Sequence, residues 1–348
     1  MELWWMYPII GGFILSILLT DIVRYFALAN NIVDHPDGER KKHGRAVPLL
    51  GGIAIFLSFG VVVLLTLWTT DHFTAGEIAQ RQLYGFLLGG LILVTGGVLD
   101  DRFDLPARRS IIFPIVAVLV AILFGLEIDK ITNPAGGSIV IVDRVSQLFL
   151  FVWLMGMTYT TKLLDGIDGL VAGLGSIAVF MIAMLALSAA FFQPDVALLA
   201  LIAFGCFSGF FLWNMHPAHI FLGEGGSTLI GYMIAVLAVI SGSKVATALL
   251  VIGIPALDVA FVMVERLRSG KSIKQADRSH LHFKLYDRGL GQREVTLIYF
   301  VIAILFGATT LIFESWQKLI ALGVLFLIML FTFLWLPKKQ KRERTRGA

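Results

Sequence analysis

The feature that most constrains this chain is a succession of apolar runs, each near the length that crosses a lipid bilayer as a helix. A hydrocarbon core of about 30 Å requires about 20 apolar residues in helical conformation. About eleven runs approach this length, near residues 7–29, 47–68, 84–99, 110–126, 148–160, 169–192, 196–213, 228–239, 246–264, 295–313 and 319–335. The fifth and eighth runs are short for a span, which makes them the weakest members of this count, and neighbouring motif residues would extend their helices.

Composition leads to the same fold class. Of 348 residues, 57% are hydrophobic and 15% are charged, whereas soluble domains carry about 25% charged residues. So few charges cannot cover a chain of this size in water. The sequence therefore predicts an all-α fold, a polytopic transmembrane helix bundle of about 11 spans. A small external β-hairpin is expected within 131–143, where a Pro-Ala-Gly-Gly turn precedes an alternating apolar stretch.

Lysine and arginine predict the orientation, because cytoplasmic loops carry an excess of both residues. Counted over alternating connections, 23 of the 28 basic residues fall on one side. That side is predicted to be cytoplasmic, which places the N-terminus outside and the C-terminus inside. Residues 1–337 are expected to form a single transmembrane catalytic domain, and residues 338–348 a basic cytoplasmic tail.

The clusters that carry chemistry lie in loops of this predicted cytoplasmic face, at residues 30–48, 100–109, 161–168, 214–227 and 266–293. Asp100 and Asp101 stand together at a helix end. Adjacent carboxylates repel unless they share a cation or a proton, so this pair suits Mg²⁺ binding or general-base catalysis. A solvated turn at the helix end is the alternative.

Two further acidic loops are interleaved with glycine. In Asp165-Gly166-Ile167-Asp168-Gly169, a tight turn can present backbone amides and carboxylates together, which fits phosphate and metal. Glu224 precedes Gly225 and Gly226, whose backbone can approach a ligand closely. A structural turn and a plain interhelical loop are the respective alternatives.

Cations and histidines complete this face. Loop 266–293 holds eight basic residues together with His280 and His282. Further cations at a membrane entry are Lys42, His43 and Arg45. Loops that only set the membrane orientation are the alternative. Together, the clusters supply carboxylates for a divalent cation, basic groups for phosphates and histidines for proton transfer. This combination indicates phosphoryl chemistry at the inner leaflet.

The order and spacing of these motifs resemble the polyprenyl-phosphate N-acetylhexosamine-1-phosphate transferases, with the phospho-MurNAc-pentapeptide translocase as a cousin. The matching segments are 43–52, 97–104, 165–170, 214–227 and 277–282. The resemblance implies transfer of N-acetylhexosamine-1-phosphate, GlcNAc-1-phosphate foremost, from a UDP-sugar to undecaprenyl phosphate, with release of UMP. This reaction is the first membrane step of cell-envelope polysaccharide synthesis. Further implications are Mg²⁺ or Mn²⁺, membrane lipids, the bacterial plasma membrane and dimerisation, which is common in the family; no nucleic-acid partner is expected.

The resemblance also implies roles for individual residues. Asp100, Asp101 and His280 would be catalytic, and the two aspartates would activate the lipid phosphate. The metal ligands would be Glu224, Asp100 and Asp101. Residues expected to bind substrates are Asp165, Asp168, Asn214, Phe221, Arg278, His282, Lys42, His43, Arg45 and Lys162. Of these, Asp168, Asn214 and Phe221 would line the uridine pocket. Diphosphate and sugar would meet Arg278, His280 and His282.

Two positions depart from the family pattern. Lys162 stands where Asn is usual, and a charged lysine has no lone pair for a metal; it could pair with Asp165 or bind phosphate. Glu224 stands where Asp is usual and is one methylene longer. We expect a rearranged but working site. The alternatives are a catalytically silent homologue that acts as a binding or regulatory subunit, and a secondary transporter.

Overall fold

A computed structural model describes residues 3–35, 46–73, 76, 78–128, 130–132, 138–140, 142–240, 245–269 and 280–335. A 3₁₀ turn at Leu3–Trp5 precedes the helices α1 (Met6–Ala29), α2 (Gly51–Thr69), α3 (Gln80–Phe103), α4 (Ala107–Ser110), α5 (Ile112–Leu123), α6 (Asp143–Leu164), α7 (Leu170–Leu187), α8 (Pro194–Asn214), α9 (Gly223–Ile240), α10 (Val245–Arg268), α11 (Leu281–Tyr286), α12 (Gln292–Ile312) and α13 (Ser315–Trp335). The short strands are β1 (Val33–Asp34), β2 (Val47–Pro48), β3 (Lys130–Thr132) and β4 (Ser138–Val140).

The helix α9 forms the centre of the bundle. Of its most apolar window, 89% is buried, and it packs against α2, α3, α6, α7 and α10. The corresponding windows of α1 and α13 are only 22% and 17% buried. Apolar side chains therefore cover the outer faces of these two helices, which is typical of helices surrounded by lipid.

Among the described residues, nine helices are long and apolar enough to cross a membrane, so the chain is a multi-pass membrane protein. Each of the eleven predicted runs contains a helix. The two outside the nine are α5, with 12 residues, and α6, with 22 residues that include charged groups near both ends. Twelve residues rise only about 18 Å, less than the hydrocarbon thickness. The count of eleven and the orientation remain predictions.

Motif residues lengthen the two short runs, as expected. The fifth run extends through α6 to Leu164, which places Lys162 in the last helical turn. The eighth run begins at Gly223, which places Glu224 in the first turn of α9. The polar motifs are thus parts of helix ends, and their positions are fixed by the packing of the bundle.

Two antiparallel strand pairs lie between helices, the first between α1 and α2 and the second between α5 and α6. In the first, Val33 lies opposite Pro48, so the chain before α2 returns to the end of α1. In the second, Lys130 lies opposite Val140, which confirms the predicted hairpin; its external side remains a prediction. The first pair is the more important for the site, because it fixes where α2 begins.

Candidate active site

The site begins where the end of α3 meets the start of α9. The backbone N–H of Glu224 donates to Asp101 Oδ1 over 3.0 Å, so a carboxylate satisfies a free N–H group at the N-terminus of α9. The neighbouring Asp100 is engaged differently. Its Oδ1 is buried and has no hydrogen-bond partner among the described residues. Asp100 Oδ1 is thus available to a proton or a ligand.

Glycines allow the helix ends to approach this closely. A Cβ atom on Gly97 of α3 would lie 2.1 Å from the backbone of Gly225, and one on Gly52 of α2 would lie 2.4 Å from Gly226 N. Gly223 adopts φ +70°, a left-handed conformation that favours glycine. Gly225 and Gly226 were expected to approach a ligand. In the structure they approach the backbones of two other helices, and the approach of a ligand to them remains a prediction.

The segment after β2 holds the loop that precedes α9. Phe221 N donates to Pro48 O over 2.9 Å, and Gly51 N donates back to Phe221 O over 3.0 Å. Phe221, predicted to line a uridine pocket, is therefore fixed through its backbone beside the start of α2. The predicted cations Lys42, His43 and Arg45 lie outside the described residues.

Lys162 projects from the last turn of α6 toward Glu224. Its Nζ forms an ion pair with Glu224 Oε1, with side-chain exposures of 26% and 18%. Ser110 Oγ donates to the same oxygen over 3.5 Å, and the ammonium lies 5.3 Å from the Tyr159 ring centroid. The sequence offered Asp165 or a phosphate as the partner of this lysine. The partner in the structure is Glu224, 62 residues along the chain.

The predicted turn with two carboxylates follows α6 directly. The Asp165 side chain is exposed and lies near the carboxylates of Glu224, Asp101 and Asp168. Desolvation raises the pKa of Asp165 to about 8, and the nearby charges of Glu224, Asp101 and Asp168 act in the same direction. The pKa of Asp165 is therefore shifted toward neutral pH.

Asp168 and Asn214 join this turn to the loop after α8. Asp168 Oδ2 lies 2.7 Å from His216 Nδ1 and accepts a hydrogen bond from Ala218 N over 3.1 Å. The buried Asn214 amide accepts from Gly169 N over 3.2 Å and donates to Ile220 O over 2.9 Å. Both predicted uridine contacts thus hold the two loops together. Contact with uridine remains a prediction for them.

The two predicted histidines are buried against the same turn. His280 Nδ1 lies 2.9 Å from Asp258 Oδ2, and Asp258 Oδ1 accepts from Leu281 N over 2.9 Å. The ring of His282 is parallel to that of His280, with centroids 5.7 Å apart. A Cβ on Gly166 would lie 3.0 Å from His282 Nε2, so the histidines and the acidic turn are neighbours. Arg278 lies outside the described residues.

The structure therefore brings most of the predicted site to one end of the bundle, joined by the contacts above. Residues brought together are Asp100, Asp101, Lys162, Asp165, Asp168, Asn214, Phe221, Glu224, His280 and His282. The sequence missed Asp258, His216 and Ser110. Asp258 could have been found, because a lone carboxylate within an apolar span is costly and marks a functional or paired group.

Comparison with known proteins identifies the family of this chain. The model of glycosyl transferase family 4 matches residues 83–242. The decaprenyl-phosphate N-acetylglucosaminephosphotransferase of Mycolicibacterium smegmatis is 30% identical over 340 residues, covering 89% of this chain and 83% of the relative. The "Probable undecaprenyl-phosphate N-acetylglucosaminyl 1-phosphate transferase" of Bacillus subtilis is 28% identical over 94% of this chain and 90% of its own length.

A third relative is the undecaprenyl-phosphate alpha-N-acetylglucosaminyl 1-phosphate transferase of Thermotoga maritima. It is 29% identical, over 92% of this chain and 94% of its own length. These likenesses span nearly the whole chain, and the family match contains both Asp100-Asp101 and Glu224. The chain therefore belongs to glycosyl transferase family 4, among the polyprenyl-phosphate N-acetylhexosamine-1-phosphate transferases.

Proposed function

We propose that this protein transfers N-acetylhexosamine-1-phosphate, with GlcNAc as the first sugar to test, from a UDP-sugar to undecaprenyl phosphate. The relatives bear names that specify GlcNAc and a polyprenyl phosphate. One observation carries the proposal: the adjacent Asp100 and Asp101 meet Glu224, 123 residues from Asp101 in sequence, at one end of an apolar bundle. There they are within reach of a lipid phosphate at the membrane surface, which we take to be the cytoplasmic face of the bacterial inner membrane.

The reaction follows from phosphoryl-transfer chemistry. An oxygen of the lipid phosphate attacks the phosphorus attached to the sugar and forms a new P–O bond. The bond from that phosphorus to the oxygen bridging to the uridine-bearing phosphate breaks, and UMP leaves with the electron pair. The products are a polyprenyl diphosphate sugar and UMP.

Asp100 is the better candidate to accept a proton from the lipid phosphate. Its Oδ1 is buried without a hydrogen-bond partner among the described residues, whereas Asp101 Oδ1 already holds the N-terminus of α9. A general base must have an oxygen within hydrogen-bond reach of the proton it removes. Asp101 then acts by fixing Glu224 and the start of α9 relative to Asp100.

The donor would lie over the loops joined by Asp168 and Asn214. Phe221 supplies an aromatic ring beside them, and His280 and His282 face the same turn from the other side. In this arrangement the nucleotide contacts the loop after α8, and the histidines meet the diphosphate. Arg278, Lys42, His43 and Arg45 would add the cations that neutralise the phosphates.

Family members generally require a divalent metal, for which the sequence indicated Mg²⁺, or Mn²⁺ in its place. Mg²⁺ requires near-octahedral oxygen ligands. The described residues contain no group of three His, Cys, Asp or Glu side chains placed to hold a metal ion, and the Lys162 ammonium is paired with Glu224. The proposed ligand set of Asp100, Asp101 and Glu224 therefore does not fit a protein-held metal, and no step above depends on one.

The test is UMP release by purified protein in detergent, supplied with UDP-GlcNAc and undecaprenyl phosphate, with and without Mg²⁺. We expect release that requires the lipid. Asp100→Asn should lower the rate by about 10²-fold or more, the usual contribution of acid–base catalysis, and Asp101→Ala should also lower it, because it removes the acceptor that fixes the start of α9. Asp21→Asn is a matched control, because Asp21 forms an exposed pair with Arg24 on α1.

Each outcome discriminates between the alternatives. Release only with another UDP-N-acetylhexosamine keeps the reaction and changes the sugar. Silence with every donor, from folded protein, refutes the transferase and favours a binding or regulatory homologue. Solute flux into proteoliposomes in the absence of transfer favours a transporter.

A further inference from the structure

The Lys162 ammonium is the most unusual group in the site, because it stands among carboxylates where a family enzyme would place a metal. It pairs with Glu224 Oε1 and interacts electrostatically with Asp100. The Tyr159 ring lies 5.3 Å from the nitrogen. Both partners of the pair are largely shielded from water, at 26% and 18% exposure, so their attraction is screened less than that of a surface pair.

The same contacts leave little room for a divalent ion at Glu224. Oε1 of this residue is occupied by Lys162 and Ser110. A divalent cation beside the carboxylate would be repelled by the ammonium, and a charged lysine cannot act as a ligand. One oxygen of Asp101 is also committed, to the N–H of Glu224.

We propose that Lys162 is the resident cation of this site. Its ammonium supplies, beside Glu224 and Asp100, the positive charge that a divalent metal would otherwise bring, so transfer by this protein does not require a divalent metal. The inference rests on the proposed transferase function. It treats the two departures from the family pattern as one compensated change: a cation enters at residue 162, and a longer carboxylate at residue 224 reaches it.

The inference is tested by transfer in EDTA and by metal binding, which needs no activity. Wild-type protein should release UMP at an unchanged rate in EDTA. Lys162→Met removes the charge and keeps most of the side chain, so it should lose transfer in EDTA. The remaining carboxylates lack a cation in that variant, and Mg²⁺ should restore its rate at least in part.

Mn²⁺ binding, followed by electron paramagnetic resonance, gives the second readout. The double variant Lys162→Asn/Glu224→Asp should bind Mn²⁺ at least about tenfold more tightly than wild type, because it removes a repelling charge. Lys318→Met is a matched control. α12 starts beside the site, where Gln292 meets Asp168, and its 21 residues rise about 30 Å, so Lys318 lies at the opposite end.

Wild-type transfer that is abolished by EDTA and restored by Mg²⁺ would overturn the inference and leave the transferase function standing. Absence of transfer under all conditions would refute the function, and the Mn²⁺ comparison would still decide the role of Lys162. Equal Mn²⁺ affinity in wild type and the double variant would then overturn the resident cation. Tighter Mn²⁺ binding by the double variant, but not by wild type or Lys318→Met, would support it.

Discussion

A methyl group added at residue 97 tests whether the contact between α3 and α9 creates the site. In Gly97→Ala, the new Cβ would lie 2.1 Å from Gly225 N and Cα, whereas ordinary van der Waals contact begins at 3.4 Å. The helices must therefore separate locally by about 1.3 Å, since backbone atoms cannot rotate away as a side chain can. Overpacking of this kind costs about 1–3 kcal/mol of unfolding free energy.

The effect on the rate should exceed the effect on stability. The Glu224 N–H to Asp101 Oδ1 bond of 3.0 Å joins the same two helix ends, and a stretch of about 1 Å takes it beyond hydrogen-bond distance. A misplacement of about 1 Å near reacting groups can cost about 10²-fold in rate. We therefore expect Gly97→Ala to transfer about 10²-fold more slowly than wild type, per folded molecule.

The assay combines the initial rate of UMP release with thermal unfolding followed by tryptophan fluorescence in detergent. Gly60→Ala is the matched control, because no heavy atom of a neighbouring element lies within 4 Å of its added Cβ. It should keep the wild-type rate and melting temperature. A Gly97→Ala protein with the wild-type rate would refute the reasoning, whether or not its melting temperature falls.

Two further predictions concern the buried pair of Asp258 and His280 and the carboxyl of Asp165. Asp258→Asn keeps the size of the side chain but presents an N–H to His280 Nδ1, which reverses the tautomer of the His280 ring. UMP release should therefore fall by about 10²–10⁴-fold. A near-normal rate would contradict the role of His280. Asp165, with its pKa raised from 3.8 to about 8, binds a proton in the folded state that the unfolded chain loses above pH 4. Its contribution to stability is thus present at low pH and is lost as the pH rises through about 8. Melting temperatures of wild type should therefore fall between pH 5 and pH 8 more steeply than those of Asp165→Asn, and parallel curves would contradict the shift.

The fold was largely predictable because apolar runs of bilayer length allow few structures other than helices. Even the extension of the fifth and eighth runs could be anticipated, since Lys162 and Glu224 adjoin them in sequence. The gathering of the acidic motifs at one end was likewise predictable, because alternate connections of a helix bundle emerge on the same side.

Pairings between distant segments could not be predicted in this way. Lys162 was free to meet Asp165, three residues away, and only the packing of α6 against α9 places Glu224 beside it. Gly225 and Gly226 carry no sign of whether a ligand or another helix approaches them. Asp258 stands out as a lone carboxylate in an apolar span, but the sequence does not indicate that its partner is His280, 22 residues further along the chain.

The central position of α9 also affects how the protein is made. Asp101 and its partner in α9 are 123 residues apart, and ribosomes add about 5–20 residues per second. About 6–25 seconds therefore pass between synthesis of the end of α3 and synthesis of the start of α9. During this time Asp100, Asp101 and Gly97 lack the neighbours that α9 provides in the folded protein. His280 and His282 are made later still, so the contact between α3 and α9 can form before the histidines of the site exist.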